Sequence, residues 1–391
     1  MVYYLASIQA EGSANTPIID MKRIGLIVNP IAGLGGRVGL KGSDGLEIQQ
    51  RAIDLGARPR APDRAIEALK CLLYMKTDLD ILTCPGSMGE IAVTEAGFTP
   101  HLLDTFQANP TTAEDTRSAV NEMLQKDLSL LMFAGGDGTA RDIYSACGIE
   151  IPTLGIPAGV KIHSAVYAIH PRAAGELASA YLQSKAEIIL AEVVDLDEEA
   201  YRQGCVSPRL YGYLKVPYVK RYIQGVKVSS TMISSACLKG IAEDISERME
   251  PSTVYIFGPG STTQAIAMHL GMDKNLLGVD AYLDGKLIAS DANESVLLEI
   301  LASNRPVKII VTPIGGQGCI LGRGNQQISP DVILKVGKKN ILVVCTKEKL
   351  DALKGRPLWV DTGVCEVDKI LCGYLPIITG YKEYVMYKVT S

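Results

Sequence analysis

The chain places two glycine clusters directly after short apolar runs. Asn29-Pro30-Ile31-Ala32-Gly33-Leu34-Gly35-Gly36 follows the run at 24–28, and Gly135-Gly136-Asp137-Gly138-Thr139 follows the run at 128–134. Backbone without Cβ atoms approaches phosphate oxygens closely, and a helix starting just after such a loop adds unpaired N–H groups and the positive end of its dipole. Asn29, Gly33, Gly35, Gly36, Gly135, Gly136, Gly138 and Thr139 are therefore candidates for holding phosphate. The first cluster also reads as a plain tight connection from strand to helix. The second contains a carboxylate, which phosphate would repel unless it serves a bound metal or accepts a proton from a substrate. Asp137 is thus the candidate catalytic residue and metal ligand.

Further candidates sit after other strand-like runs. Lys161 and His163 follow Pro157-Ala158-Gly159. Cations are not the usual stabilisers of a helix start, so Lys161 is read as reaching donor phosphates, while His163 is either packed or catalytic. Gly258-Pro259-Gly260-Ser261-Thr262-Thr263 opens a helix, where Gly260, Ser261 and Thr262 either cap it or bind an anionic ligand. Asp280 and Asp291 lie near Asn293 and Glu294 and suit the hydroxyl pair of a sugar, whereas Asp284 belongs to an Asp-Gly hairpin turn. Arg323 and Asn325, with Gln326, lie among glycines and are read as exposed donors for phosphate or a nucleobase.

These residues need a frame. Strand-like runs at 24–29, 79–83, 128–134 and 153–156 alternate with helical ones at 46–55, 63–74, 112–125, 139–146 and 173–183, the pattern of a doubly wound sheet with ligands at the carboxyl ends of its strands. A strand at 187–195 leads into 201–225, rich in tyrosine and basic residues and read as an irregular segment near a domain junction. It serves either as a linker or as a loop closing over an anion. Runs at 253–257, 308–312 and 340–345, with helices at 262–270 and 294–302, make the second half α/β as well.

Length and composition bound the function. A chain of 391 residues exceeds what one core usually supports, so two domains are expected. The net charge of -4 supplies no global basic field for a nucleic acid, so phosphate must be gripped locally. No apolar run is long enough for a membrane span and no signal peptide opens the chain, so neither a nucleic-acid nor a membrane partner is expected and the expected location is cytoplasmic. Nine cysteines without a C-x-x-C pair are read as reduced and mostly buried. The divisions expected are an extension at 1–20, a phosphate-binding domain at 21–190, an acceptor domain at 191–375 and a terminal strand packing back at 376–391. A homo-oligomer is the expected assembly.

The Asn-Pro-x-x-Gly loop, followed about a hundred residues later by Gly-Gly-Asp-Gly-Thr, resembles the superfamily of NAD kinases and diacylglycerol and sphingosine kinases. The stretches at 39–45, 157–164, 258–263, 315–318 and 322–327 are similar to the prokaryotic ATP-NAD kinase-like branch that includes the acetoin-catabolism X protein. The resemblance spans nearly everything after Met21. It implies an N-terminal doubly wound, Rossmann-like domain and a second mixed α/β domain with an interdomain cleft. It also implies ATP and Mg2+ as cofactors and small-molecule substrates, ATP (or polyphosphate) and NAD. Asn29, Gly33, Gly135, Gly136, Gly138 and Thr139 would hold ATP phosphates, with Asp137 on magnesium or the acceptor hydroxyl. The acceptor half departs in order: in NAD kinases the Asn-Glu or Asn-Asp pair comes first, whereas here the Gly-Ser-Thr motif precedes Asn293-Glu294. A polyol, sugar or nucleoside kinase and a non-catalytic nucleotide-binding regulator are the other readings.

Overall fold

The computed structural model describes residues 21–36, 38–40, 46–104, 111–159, 162–196, 208–219, 222–223, 235–314 and 318–391. The first half runs β1 (Lys22–Val28), α1 (Leu46–Asp54), α2 (Ala61–Lys70), β2 (Leu79–Thr83), α3 (Glu90–Glu95), β3 (Pro100–Leu102), α4 (Ala113–Met123), β4 (Leu130–Gly135), α5 (Asp137–Cys147), β5 (Thr153–Pro157), α6 (Pro171–Leu182), β6 (Glu187–Leu196) and β7 (Pro208–Tyr218). The first five strands form a parallel sheet in the order β3-β2-β1-β4-β5. Its central strands are apolar without alternation because both faces are covered: β4 is buried along its whole length. The chain leaves β1 toward one edge and returns to β4 on the other side. The carboxyl ends of β1 and β4 therefore flank the point of reversal where such sheets bind ligands, and both glycine clusters lie there.

The second half runs α7 (Ser235–Arg248), β8 (Val254–Phe257), α8 (Ser261–His269), β9 (Asp280–Leu283), β10 (Lys286–Ala289), α9 (Glu294–Ala302), β11 (Val307–Val311), β12 (Cys319–Leu321), α10 (Pro330–Val336), β13 (Ile341–Val344), α11 (Lys347–Asp351), β14 (Leu358–Val360), α12 (Cys365–Leu371), β15 (Gly373–Gly380) and β16 (Glu383–Thr390). Nine strands make one mixed sheet in the order β10-β9-β8-β11-β13-β15-β16-β14-β12. Asp284 and Gly285, both at positive φ, turn β9 into β10 as the Asp-Gly signal predicts. The protein is a two-domain α/β fold with separate cores, one around the parallel sheet and another around the mixed sheet.

Three expectations need correction. The segment at 201–225 is not irregular throughout: 208–218 forms β7, antiparallel to β6, because Leu214 and Val216 alternate inward while Tyr213 and Lys215 alternate outward. Pro208 and Pro217, near its two ends, sit in a two-stranded ribbon, where edges tolerate proline. Residues 191–223, assigned from the sequence to the second domain, contribute Ala191, Val193, Leu214, Val216 and Ile223 to the first core. Finally, 376–391 is the end of β15, a turn at Tyr381-Lys382 with Lys382 at φ +53, and all of β16, rather than one strand. The expected extension at 1–20 and, of the segment at 201–225, residues 201–207, 220–221 and 224–225 lie outside the described residues. Among the described cysteines none is bridged, and Cys84, Cys147, Cys319 and Cys345 are buried. Among the described residues, no helix is long and apolar enough to cross a membrane.

Candidate active site

The two glycine loops are tied by one amide. Asn29 donates from Nδ2 to Thr139 Oγ1 (2.9 Å) and accepts the Ile31 N–H at Oδ1 (3.2 Å), so it folds its own loop and fastens it to the first turn of α5. Thr139 is buried, and a Cβ on Gly135 would overlap its side chain. The loop after β5 joins them: Ala158 and Gly159 both donate to the Gly135 carbonyl (3.0 and 3.2 Å). Gly136 and Gly159 face each other, and a Cβ on Gly136 would stand 3.7 Å from the Gly159 Cα. Gly33, at φ +83, is pressed against the Ala158 carbonyl and Arg60. Gly33, Gly35 and Gly36 are all buried, the last against the Gln326 amide of the second domain. A Cβ on Gly138 would meet only the Arg141 guanidinium, in ordinary contact at 3.9 Å.

Asp137 is the first residue of α5 and 7% exposed. Its Oδ2 accepts the His163 N–H (2.7 Å) and lies 3.2 Å from His163 Nδ1, while Oδ1 accepts the Ser164 N–H (3.0 Å). The carboxylate thus caps the segment that follows β5 rather than its own helix. Among the described residues Oδ1 carries one donor, which leaves it a lone pair for a cation. A single carboxylate of this kind suits magnesium, which takes one or two protein carboxylates and fills its other positions with water and substrate phosphates. Among the described residues no group of three or more His, Cys, Asp or Glu side chains forms a metal cage. Lys161 lies outside the described residues.

The acceptor candidates divide into three groups. Gly260, at φ +130, is the N-cap residue of α8, where Ser261 is exposed and Thr262 is buried with its hydroxyl unpartnered among the described residues. Asp280 is fully buried and committed to its own domain: it accepts from the Asn275 N–H (2.7 Å), Asn275 Nδ2 (3.1 Å) and the Asp291 N–H (2.7 Å). Burial brings the nearby Lys274 ammonium down to about 8, against the support of Asp280 and Asp291. Asn293 caps α9 by accepting the Val296 N–H (3.0 Å), with Glu294 the next residue, and the first domain's Gly39 stands against Asn293 and Asp291. Arg323 and Asn325 are buried, not exposed as expected, because Arg323 reaches across the domain junction and Asn325 is folded into its own loop. Asn325 pins its own loop by accepting the Gly322 N–H and donating to the Ile320 carbonyl (both 2.9 Å).

That junction was invisible in the sequence. Arg64 of α2 forms a buried ion pair with Asp361, and the Arg60 guanidinium fills the place a Cβ on Gly363 would take. Burial opposes the Asp361 charge, but Arg64, with help from Arg323 and His170, holds its carboxyl below the usual carboxylate range. Arg323 donates from Nη1 to the Ile169 carbonyl (3.1 Å), lies over Trp359 and within electrostatic reach of Asp137. Burial lowers its guanidinium to about 10. Gly322, Gln326, Ser329 and Thr362 line, with Arg60, a small recess between the domains.

Comparison with known families matches both halves. Residues 24–186 match the ATP-NAD kinase N-terminal domain, and residues 252–389 match the ATP-NAD kinase C-terminal domain. No curated protein and no solved structure is a significant match. With two successive matches over most of its length, and with the loops after β1 and β4 joined at the switch point of the first sheet, the chain belongs to the ATP-NAD kinase family.

Proposed function

We propose that the protein is an NAD kinase-like phosphotransferase that moves the γ-phosphoryl group of ATP, or a phosphoryl group of polyphosphate, to a hydroxyl of NAD. The observation that carries this reading is the Asn29–Thr139 bond, which fastens the first glycine loop to the N-terminus of α5. The first amides of α5 have no acceptor within the helix, and together with the backbone at Gly136, Gly138 and Gly159 they offer a site for phosphate oxygens. Asp137 is then the residue at the chemistry. The acceptor oxygen bonds to the γ-phosphorus as the bond to the β–γ bridging oxygen breaks, ADP leaves, and the hydroxyl proton passes to the Asp137 carboxylate. Magnesium, when bound with Asp137, neutralises charge on the phosphates. Positioning and charge neutralisation account for most of the rate in reactions of this class.

A second reading is favoured by the commitments of Asp280 and Asn293, whose side chains already satisfy their own domain. On that reading the same cradle serves a different small alcohol, such as a polyol, sugar or nucleoside. The deciding experiment is magnesium-dependent phosphotransfer from ATP and polyphosphate to NAD and to a panel of those alcohols. NADP formation supports the first reading. Transfer to other alcohols with no NADP overturns it and selects the second, and nucleotide binding without any transfer identifies a regulator.

A further inference from the structure

Residues 162–170 run from the candidate active site to the second domain, and each end is held by a side chain from outside the segment. At the start, Asp137 takes the amides of His163 and Ser164. In the middle, the buried Tyr167 donates from its hydroxyl to the Gly136 carbonyl (2.5 Å), the same oxygen that receives the Ala140 N–H. At the end, the Ile169 carbonyl accepts from Arg323 and the His170 ring lies 6.1 Å from that of Trp359. Between these points the segment is laced to the first domain. Ser164 exchanges hydrogen bonds with Val194, Ala165 donates to Glu192, and Ala168 donates to Gly155. Tyr167 lies on β5 only because residue 155 is glycine: a Cβ there would enter the ring.

We propose that residues 162–170 act as a strap through which Arg323 of the second domain sets the geometry of the Gly135–Thr139 turn, making Arg323 a positioning residue rather than a ligand contact. The reasoning is mechanical. Ile169 and Tyr167 are two residues apart on one backbone, so a shift of the Ile169 carbonyl reaches the Tyr167 hydroxyl, the Gly136 carbonyl it holds and, through the next peptide, Asp137 with its two amides. Among the described residues Arg323 has one hydrogen bond across the junction, from Nη1, and its Nη2 has no partner. Its hold on the strap is therefore a single contact that domain separation breaks cleanly. Domain closure would then align Asp137, and domain opening would release it. The kinetic part of this proposal rests on the phosphotransferase reading; the structural part does not.

The test compares Arg323→Met, Arg323→Lys and Tyr167→Phe with the unaltered full-length protein by hydrogen–deuterium exchange and by ATP-dependent kinetics. Arg323→Met is expected to speed exchange at the amides of His163, Ser164 and Ala140 about tenfold, with the sheet amides of β1 and β4 unchanged, since local opening is separable from global unfolding. It is expected to lower kcat by roughly 10- to 100-fold, as a displacement of about 1 Å can do, while the KM for ATP stays within about threefold. Arg323→Lys, which keeps a donor for the Ile169 carbonyl, is expected to restore most of the protection. Tyr167→Phe removes one hydroxyl without changing the ring packing, and should speed exchange at Ala140 even if Arg323→Met fails to fold. Unchanged protection at His163 and Ser164 in a folded Arg323→Met protein overturns the proposal, and so does faster exchange spread evenly over the chain. If the unaltered protein shows no phosphotransfer, the kinase reading fails and the exchange measurements alone decide the strap.

Discussion

Asp137 commits both carboxylate oxygens to amides of a neighbouring segment, so replacing it has two separable effects. Asp137→Asn is expected to lower turnover by about 10² to 10⁴, the usual range for a lost acid–base group, with ATP affinity within about tenfold. An asparagine can accept only one of the two amides and turns an NH2 toward the other, which costs about 1–3 kcal/mol of stability. Kinetics and thermal melting measured side by side read the two effects, and an unchanged kcat removes Asp137 from the chemistry. The two glycine clusters should also respond differently. Gly136, at φ -116, accommodates a methyl that projects toward Gly159, so Gly136→Ala is expected to keep its melting temperature and raise the KM for ATP. Gly33, at φ +83 against the Ala158 carbonyl, has no such room, and Gly33→Ala is expected to lose stability, of which about 1–2 kcal/mol is backbone strain. A folded Gly136→Ala protein with normal ATP kinetics would mean the cradle lies elsewhere. Asp137 was legible in the sequence because a carboxylate among phosphate-seeking glycines is out of character. Tyr167 was not, since a tyrosine between Val166 and Ala168 reads as ordinary core.

Among the elements, β1, β4 and β5 were readable because strands buried on both faces need unbroken apolar runs. The second sheet was only partly so: β12 and β14 are three residues each, too short to carry a period. β7 was hidden by its prolines and by tyrosines that suit a strand and a loop equally well. The one sequence signal for the strap was Gly155, a lone glycine in a strand, which often marks close approach of another chain segment. Gly155→Ala is accordingly expected to push the Tyr167 ring off β5, destabilise the first domain by about 1–3 kcal/mol or more, and disturb the Gly136 turn as well. Urea denaturation read together with ATP binding checks both, and a variant as stable as the parent would show that the ring has room to move.

For the whole molecule, the domain junction could not be read from sequence, because Arg64 and Asp361 stand 297 residues apart and no local pattern pairs them. Its pH response follows from His170. The imidazole accepts the Ala173 N–H at Nδ1 (3.0 Å) as the N-cap of α6, and burial holds it below its ordinary 6.5, against the pull of Asp361 and Glu176 and with Arg323 and Arg172 adding to the lowering. The unfolded chain therefore takes up this proton first. Stability from this group is complete above pH of about 6.5 and falls as the pH drops toward the lower folded value, by at most about 1.4 kcal/mol per pH unit. Urea midpoints between about pH 8 and about pH 5 should show that slope, and His170→Asn, which keeps a capping oxygen without a proton to gain, should reduce it; an equal slope in the variant would place the titrating group elsewhere. The same corner holds the only tryptophan of the chain, 5% exposed. Trp359 belongs to the second domain, yet its neighbour across the junction is an imidazole of the first. On the strap proposal its emission reports the junction: blue while the indole is shielded, red-shifted if water reaches it. A titration with ATP followed at that one wavelength band would test whether the nucleotide moves the domains, in the unlabelled protein and with no probe attached.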